Sequence, residues 1–387
     1  MNVTQTPVLI YAPDLGHSST NSADNLADVI AAIVDNQHAS VSYSTQLDAT
    51  VTAPRGLKVS KTLVDQDGNK VLQIFELDYK ARFEGEAGPL GMSAPMGAIE
   101  STRYALLGLL RFVTAARRTA KSGMAKLQIL LGLLPVIALI AAWLVAVSAL
   151  LASLNLDAPA WLESVWGKVG ATAVALGLIA LWGRWRKGTL ALALLTQRML
   201  DYATNTGGNR DSLARTLDDA LGGIIDDDQW GRIHLLGFSF GSLILFDALY
   251  PDVDALSNPA PANHVSSLTT IGCPADAVRL YFPEYDAGMR TARRPDLPWV
   301  NVFNATDVFG SNFRDQDDIS TSQNNVPAQG TLAARVSESR RYGQDALTFG
   351  QLLRLQGFVV HAKYWSGPRD ASCLENVAPG WVNLQMQ

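Results

Sequence analysis

Residues 232–249 read Arg-Ile-His-Leu-Leu-Gly-Phe-Ser-Phe-Gly-Ser-Leu-Ile-Leu-Phe-Asp-Ala-Leu. An apolar strand candidate, Ile233 to Leu236, runs directly into Gly237-Phe238-Ser239-Phe240-Gly241. An apolar helix candidate, Ser242 to Leu249, runs directly out. The period changes from strand to helix across five residues, so the chain must turn sharply there. Glycines two positions before and two after Ser239 let strand and helix approach closely. From Arg232 onward strand-like and helix-like segments alternate, which is the pattern of a parallel sheet in an α/β fold.

The N-terminal part fits the same class. Val8 to Tyr11 is a short buried-strand candidate ending at Pro13-Asp14-Leu15-Gly16. A helix is predicted from about Ser22 to Asp35, with Leu26, Val29, Ile30 and Ile33 on one face. Val41 to Tyr43 is a weaker strand. Leu57 to Leu63 and Val71 to Leu77 flank Asp67-Gly68-Asn69, which predicts a hairpin. Residues 81–97 read as a loop and 98–120 as helical. Residues 188–222 read as helices interrupted at Asn205-Thr206-Gly207-Gly208. A late strand is predicted over Gly357 to Val360.

Hydrophobic residues make up 48% and charged residues 17% of the chain. The excess lies in one block. Residues 127–156 carry no charged side chain, and neither do 169–183. About 20 apolar residues cross a bilayer core. Trp161, Trp166, Trp182 and Trp185 stand at the ends of the second run, and Arg117, Arg118, Lys121, Lys126, Arg184, Arg186 and Lys187 flank the block. The expectation is a two-helix transmembrane hairpin over 121–187, inserted between the halves 1–120 and 188–387 of one α/β domain. Both basic flanks then lie on the cytoplasmic side. The alternatives are a pair of buried helices and an apolar lid. Ala173 and Gly177 could pack helices within or between chains, which leaves oligomeric state open.

The net charge is −5, with no clustered basic face of the kind nucleic acid requires. Cys273 and Cys373 cannot build a disulfide framework, and no His/Cys/carboxylate spacing suggests a metal site. The first residues lack the basic and long apolar regions of a signal peptide.

Gly237–Gly241 is a G-x-S-x-G match in the strand–turn–helix setting where a nucleophilic serine is presented. The start of the helix points N–H groups at the turn, so the amide of Phe240 can help hold an oxyanion. A serine hydroxyl needs a base, and the base needs an orienting group. Of the five histidines, His361 lies well downstream in a suitable setting. His234 falls inside the strand and reads as a sheet histidine, and His264 falls in a Pro/Asn-rich loop. Asp307 follows the strand candidate Trp299 to Asn304 and is the preferred acid. Asp276, after Leu268 to Ile271, is the alternative. A second oxyanion donor belongs on the loop after the first strand, where the amide of Leu15 is the candidate.

These residues resemble the α/β-hydrolase superfamily, on its lipase and esterase side. Thr270-Ile271-Gly272-Cys273-Pro274 is similar to the T-x-G-x-P turn that follows the serine helix in lipase-like members. Two features differ. Pro13-Asp14 stands where many relatives carry His-Gly, and the apolar insert is unlike the usual soluble lid. The resemblance implies ester hydrolysis through Ser239, His361 and Asp307, without a cofactor. A membrane-held form implies a lipid or long-chain acyl ester as substrate. An acyl thioesterase or acyltransferase would use the same triad, and a catalytically inactive, membrane-tethered interaction module is the reading from another class.

Overall fold

Eight strands form one sheet in the order β2-β3-β4-β1-β5-β6-β7-β8. In this computed structural model the described residues are 5–15, 22–37, 41–79, 202–205, 209–250, 261–275, 297–304 and 338–341, with single positions and short stretches among 278–311 and 348–382. The strands are β1 (Thr6–Ala12), β2 (Tyr43–Gln46), β3 (Leu57–Asp65), β4 (Lys70–Leu77), β5 (Trp230–Phe238), β6 (Val265–Ile271), β7 (Trp299–Phe303) and β8 (Glu338–Arg341). The helices are α1 (Ala23–Gln37), α2 (Asn209–Ile225) and α3 (Phe240–Leu249).

β2, β3 and β4 form an antiparallel meander at one edge. From β4 across β1 to β8 every pairing is parallel. The turn at the predicted hairpin is held by Asp65, whose carboxylate accepts the amide of Asn69 at 2.8 Å and that of Asp67 at 2.9 Å.

Period-2 alternation divides the core. Val8, Ile10 and Ala12 of β1, with Ile233 and Leu235 of β5, pack under α2 and α3. Leu9 and Tyr11, with Leu236 and Phe238, pack under α1 and a C-terminal segment containing Leu374 and Trp381. Successive strand side chains point to opposite faces, so each strand contributes to both layers. All ten residues of α3 are buried. Its one carboxylate, Asp247, accepts the hydroxyl of Tyr285 at 2.7 Å. Asn205 caps α2: its side-chain oxygen accepts the amide of Arg210 at 3.0 Å, which satisfies a donor left open at a helix start.

Two sequence expectations shift and one strand is added. The weak strand over 41–43 forms at Tyr43–Gln46. β8 is a strand that the apolar pattern did not mark, because Glu-Ser-Arg-Arg has none. The late strand over Gly357 to Val360 is corrected at the position described, since Val360 and His361 have helical backbone. Among the described residues no helix is long and apolar enough to cross a membrane. The expected hairpin over 121–187, the loop over 81–97 and the helix over 98–120 lie outside the described residues.

The order of the strands locates a site before any side chain is considered. After β1 the chain builds the sheet toward one edge (β2, β3, β4), then returns to place β5 to β8 on the other side of β1. The connections after β1 and β5 therefore diverge and leave a crevice beyond their carboxyl ends, where open α/β sheets bind ligands.

Candidate active site

Ser239 stands in that crevice, between the end of β5 and the start of α3. Its backbone has φ 52 and ψ −122, a conformation that costs a non-glycine residue about 1–3 kcal/mol. Both sides hold it there. Its amide donates to the carbonyl of Ile271 at the end of β6 (2.9 Å), and its carbonyl accepts the amide of Ser242 (3.0 Å).

The flanking glycines are needed for close approach. A Cβ on Gly237 would lie 2.5 Å from the Cα of Ser242. A Cβ on Gly241 would lie 2.0 Å from the carbonyl oxygen of Ala12 and 2.5 Å from that of Pro13. The loop leaving β1 thus presses its backbone against the first turn of α3. Phe240 opens that helix, and Leu15 is buried in that loop. Both oxyanion candidates therefore belong to the two segments that meet at Gly241. The ring of Phe240 is flanked by Tyr202 (centroids 4.9 Å apart) and Tyr79 (6.4 Å). The hydroxyl of Tyr79 in turn donates to the carbonyl of Pro13.

The structure brings His361 and Asp307 to Ser239. His361 Nε2 lies 2.7 Å from Ser239 Oγ, and His361 Nδ1 lies 2.8 Å from Asp307 Oδ2. An ionised carboxylate can only accept, so Nδ1 carries the proton and Nε2 offers its lone pair to the serine hydroxyl. The imidazole rests in an aromatic slot. Phe238 stacks on it with centroids 5.7 Å apart, and Phe309 meets it edge to face at 5.1 Å.

Asp307 has a fully buried side chain, while that of His361 is 12% exposed. A chain of buried hydrogen bonds fixes the loop that carries the acid. Asn304 Oδ1 accepts the amide of Thr306 (2.8 Å), and the carbonyl of Asn304 accepts the amide of Asp307 (3.0 Å). Asn301, on β7, donates to the carbonyl of Ser311 at 2.9 Å. The amide of Ser311 donates to the carbonyl of Cys273 at 2.8 Å. Beyond β7 the loop is thus tied both to its own strand and to the turn after β6.

Sequence reasoning missed one participant, Tyr364. Its hydroxyl donates to Asp307 Oδ2 (2.8 Å) and accepts the amide of Asn304 (2.9 Å). Tyr364, three positions after His361, reaches the same carboxylate. Spacing along the chain alone does not mark that pairing.

The alternative acid, Asp276, lies outside the described residues. His264 closes a short 3₁₀ turn, Pro261–His264, just before β6. His234 is a buried sheet residue, with Nδ1 2.8 Å from Ser267 Oγ. Burial, aided by the nearby Arg232 charge, lowers its pKa from 6.5 to about 4. The fold therefore favours the neutral ring. Its contribution to stability is complete above pH 6.5 and is lost as the pH falls toward 4. Between pH 7 and 4.5 that loss amounts to about 2–3 kcal/mol. Urea unfolding of His234→Gln at both pH values should show a drop smaller than that of the wild type by about this amount. An equal drop in the two proteins would exclude His234 as the source.

No protein-family model, no curated protein and no solved structure matches this chain.

Proposed function

We propose that this chain is a membrane-associated serine hydrolase of the α/β-hydrolase type that cleaves a carboxylic ester, with a lipid or long-chain acyl ester as the substrate class. The observation that carries the reading is the unbroken relay from Ser239 Oγ to His361 to Asp307, with contacts of 2.7 and 2.8 Å. Its position supports the same reading, on a strained turn in the crevice between β1 and β5. The uncharged runs 127–156 and 169–183 support a membrane-held enzyme with amphiphilic substrates.

In this mechanism Ser239 Oγ attacks the ester carbonyl as its proton passes to His361 Nε2. A tetrahedral oxyanion forms, and the amides of Phe240 and Leu15 are the proposed donors to it. The C–O bond to the alcohol breaks, the leaving alkoxide takes the proton from His361, and the acyl group stays on Ser239. Water then attacks the acyl-enzyme, giving its proton to His361. Collapse releases the carboxylic acid and returns the proton to Ser239. Asp307 holds the ring in the required tautomer and stabilises the imidazolium in both halves.

A fluorophosphonate probe tests the reading because it reports an activated serine without knowledge of the substrate. Wild-type protein should be labelled, as should Ser44→Ala, which alters an exposed position on β2. Ser239→Ala should not be labelled. Folded wild-type protein that resists the probe would refute the proposal.

A further inference from the structure

We propose that Tyr364 is a fourth, positioning member of the relay, holding Asp307 in line with His361 and setting how strongly that carboxylate draws on the imidazole. This rests on the triad reading above.

The geometry fixes the direction of the phenolic proton. The hydroxyl of Tyr364 accepts the backbone N–H of Asn304 at 2.9 Å, so its own proton is left to point at Asp307 Oδ2, 2.8 Å away. Oδ2 is also the atom that receives His361 Nδ1–H at 2.8 Å. The other oxygen, Oδ1, accepts the amide of Phe309 at 2.8 Å. Two donors of different kinds therefore share one lone-pair-bearing atom, and a third holds its partner. A carboxylate with no exposed surface stays ionised only if such donors replace water. Tyr364 is itself fully buried, and burial with the Asp307 charge raises its pKa well above the usual phenol value. It thus remains a donor at every pH at which the enzyme would work.

The shared atom predicts the consequence of removal. Each donor on Oδ2 withdraws electron density from the bond that the other makes. Without the phenol, Asp307 attracts the His361 proton more strongly, the imidazolium is favoured, and the free base becomes scarcer at a given pH. The carboxyl group also loses an anchor, so its alignment loosens.

Tyr364→Phe isolates this function, because the ring that packs against Phe238 and His361 stays in place. With 4-nitrophenyl butyrate as substrate, kcat should fall about tenfold with KM unchanged. The acid limb of the kcat/KM profile should move up by about half a pH unit or more. Placing 3-fluorotyrosine at position 364 makes the phenol a stronger donor and should move that limb down. The low-field proton resonance of His361 Nδ1–H provides a measurement that needs no turnover, and it should move in opposite directions in the two variants. A fall in kcat with neither limb nor resonance displaced would reduce Tyr364 to packing and overturn the inference, as would no effect at all. Failure of the triad reading looks different: the wild-type protein itself would ignore the fluorophosphonate probe.

Discussion

His361→Ala should lower kcat for a 4-nitrophenyl ester by roughly 10⁴- to 10⁶-fold, with little change in KM. The expectation follows from the position of Nε2, 2.7 Å from the serine oxygen. A neutral hydroxyl attacks a carbonyl slowly, and the alkoxide leaving group needs a proton that the same nitrogen would supply. Losing the base therefore damages both halves of the reaction. Because serine and histidine act as one unit, Ser239→Ala combined with His361→Ala should be no slower than either single change. Thermal unfolding should show that the domain survives, since the imidazole is partly exposed at the crevice. Turnover within tenfold of wild type would mean that another group serves as base, and the assignment of His361 would fall.

Gly241→Ala is expected to be the most damaging single methyl in the domain's central layer. The added carbon would lie 2.0 Å from one backbone carbonyl oxygen and 2.5 Å from another, on Ala12 and Pro13. A flexible side chain can swing aside, but here the obstacles are main-chain atoms at the buried end of β1. Either the loop after β1 or the start of α3 must move, and both belong to the proposed oxyanion site. The loss should be about 3 kcal/mol or more by urea unfolding, together with loss of probe labelling. Gly222→Ala is the internal comparison. It lies within α2, and nothing stands within 4 Å of the added carbon. Replacing a helical glycine there should stabilise by about 0.5–1 kcal/mol. If the two alanine variants proved equally stable, the tight contact between β1 and α3 would not exist in solution.

What could be read from the sequence follows the range of the interaction involved. The turn at Ser239 was visible because its strand, its two glycines and its helix are contiguous, and each points to the same geometry. His361 and Asp307 could be proposed because their order along the chain and the ends of nearby apolar runs limit the choices. The geometry around His361 was misread for a physical reason. Phe358-Val359-Val360 is too short and too uniformly apolar for periodicity to separate strand from helix. β8 was missed because an edge strand paired on one side needs no apolar run. Tyr364 escaped notice because its chemistry lies in contacts with residues 57 and 60 positions earlier. His234 could be identified as a sheet histidine, but its depressed pKa comes from burial that only the folded chain provides.

Tyr79 and Tyr202, the described residues on either side of 80–201, both lie against Phe240. The two ends of that connection are therefore neighbours. When two attachment points are already neighbours, the entropy of closing the connection rises only with the logarithm of its length. The sheet and its flanking helices can therefore tolerate wide variation in what is spliced between those tyrosines. The junction thus works as a docking port, where the connection could be exchanged, lengthened or trimmed while the sheet beside it keeps its packing.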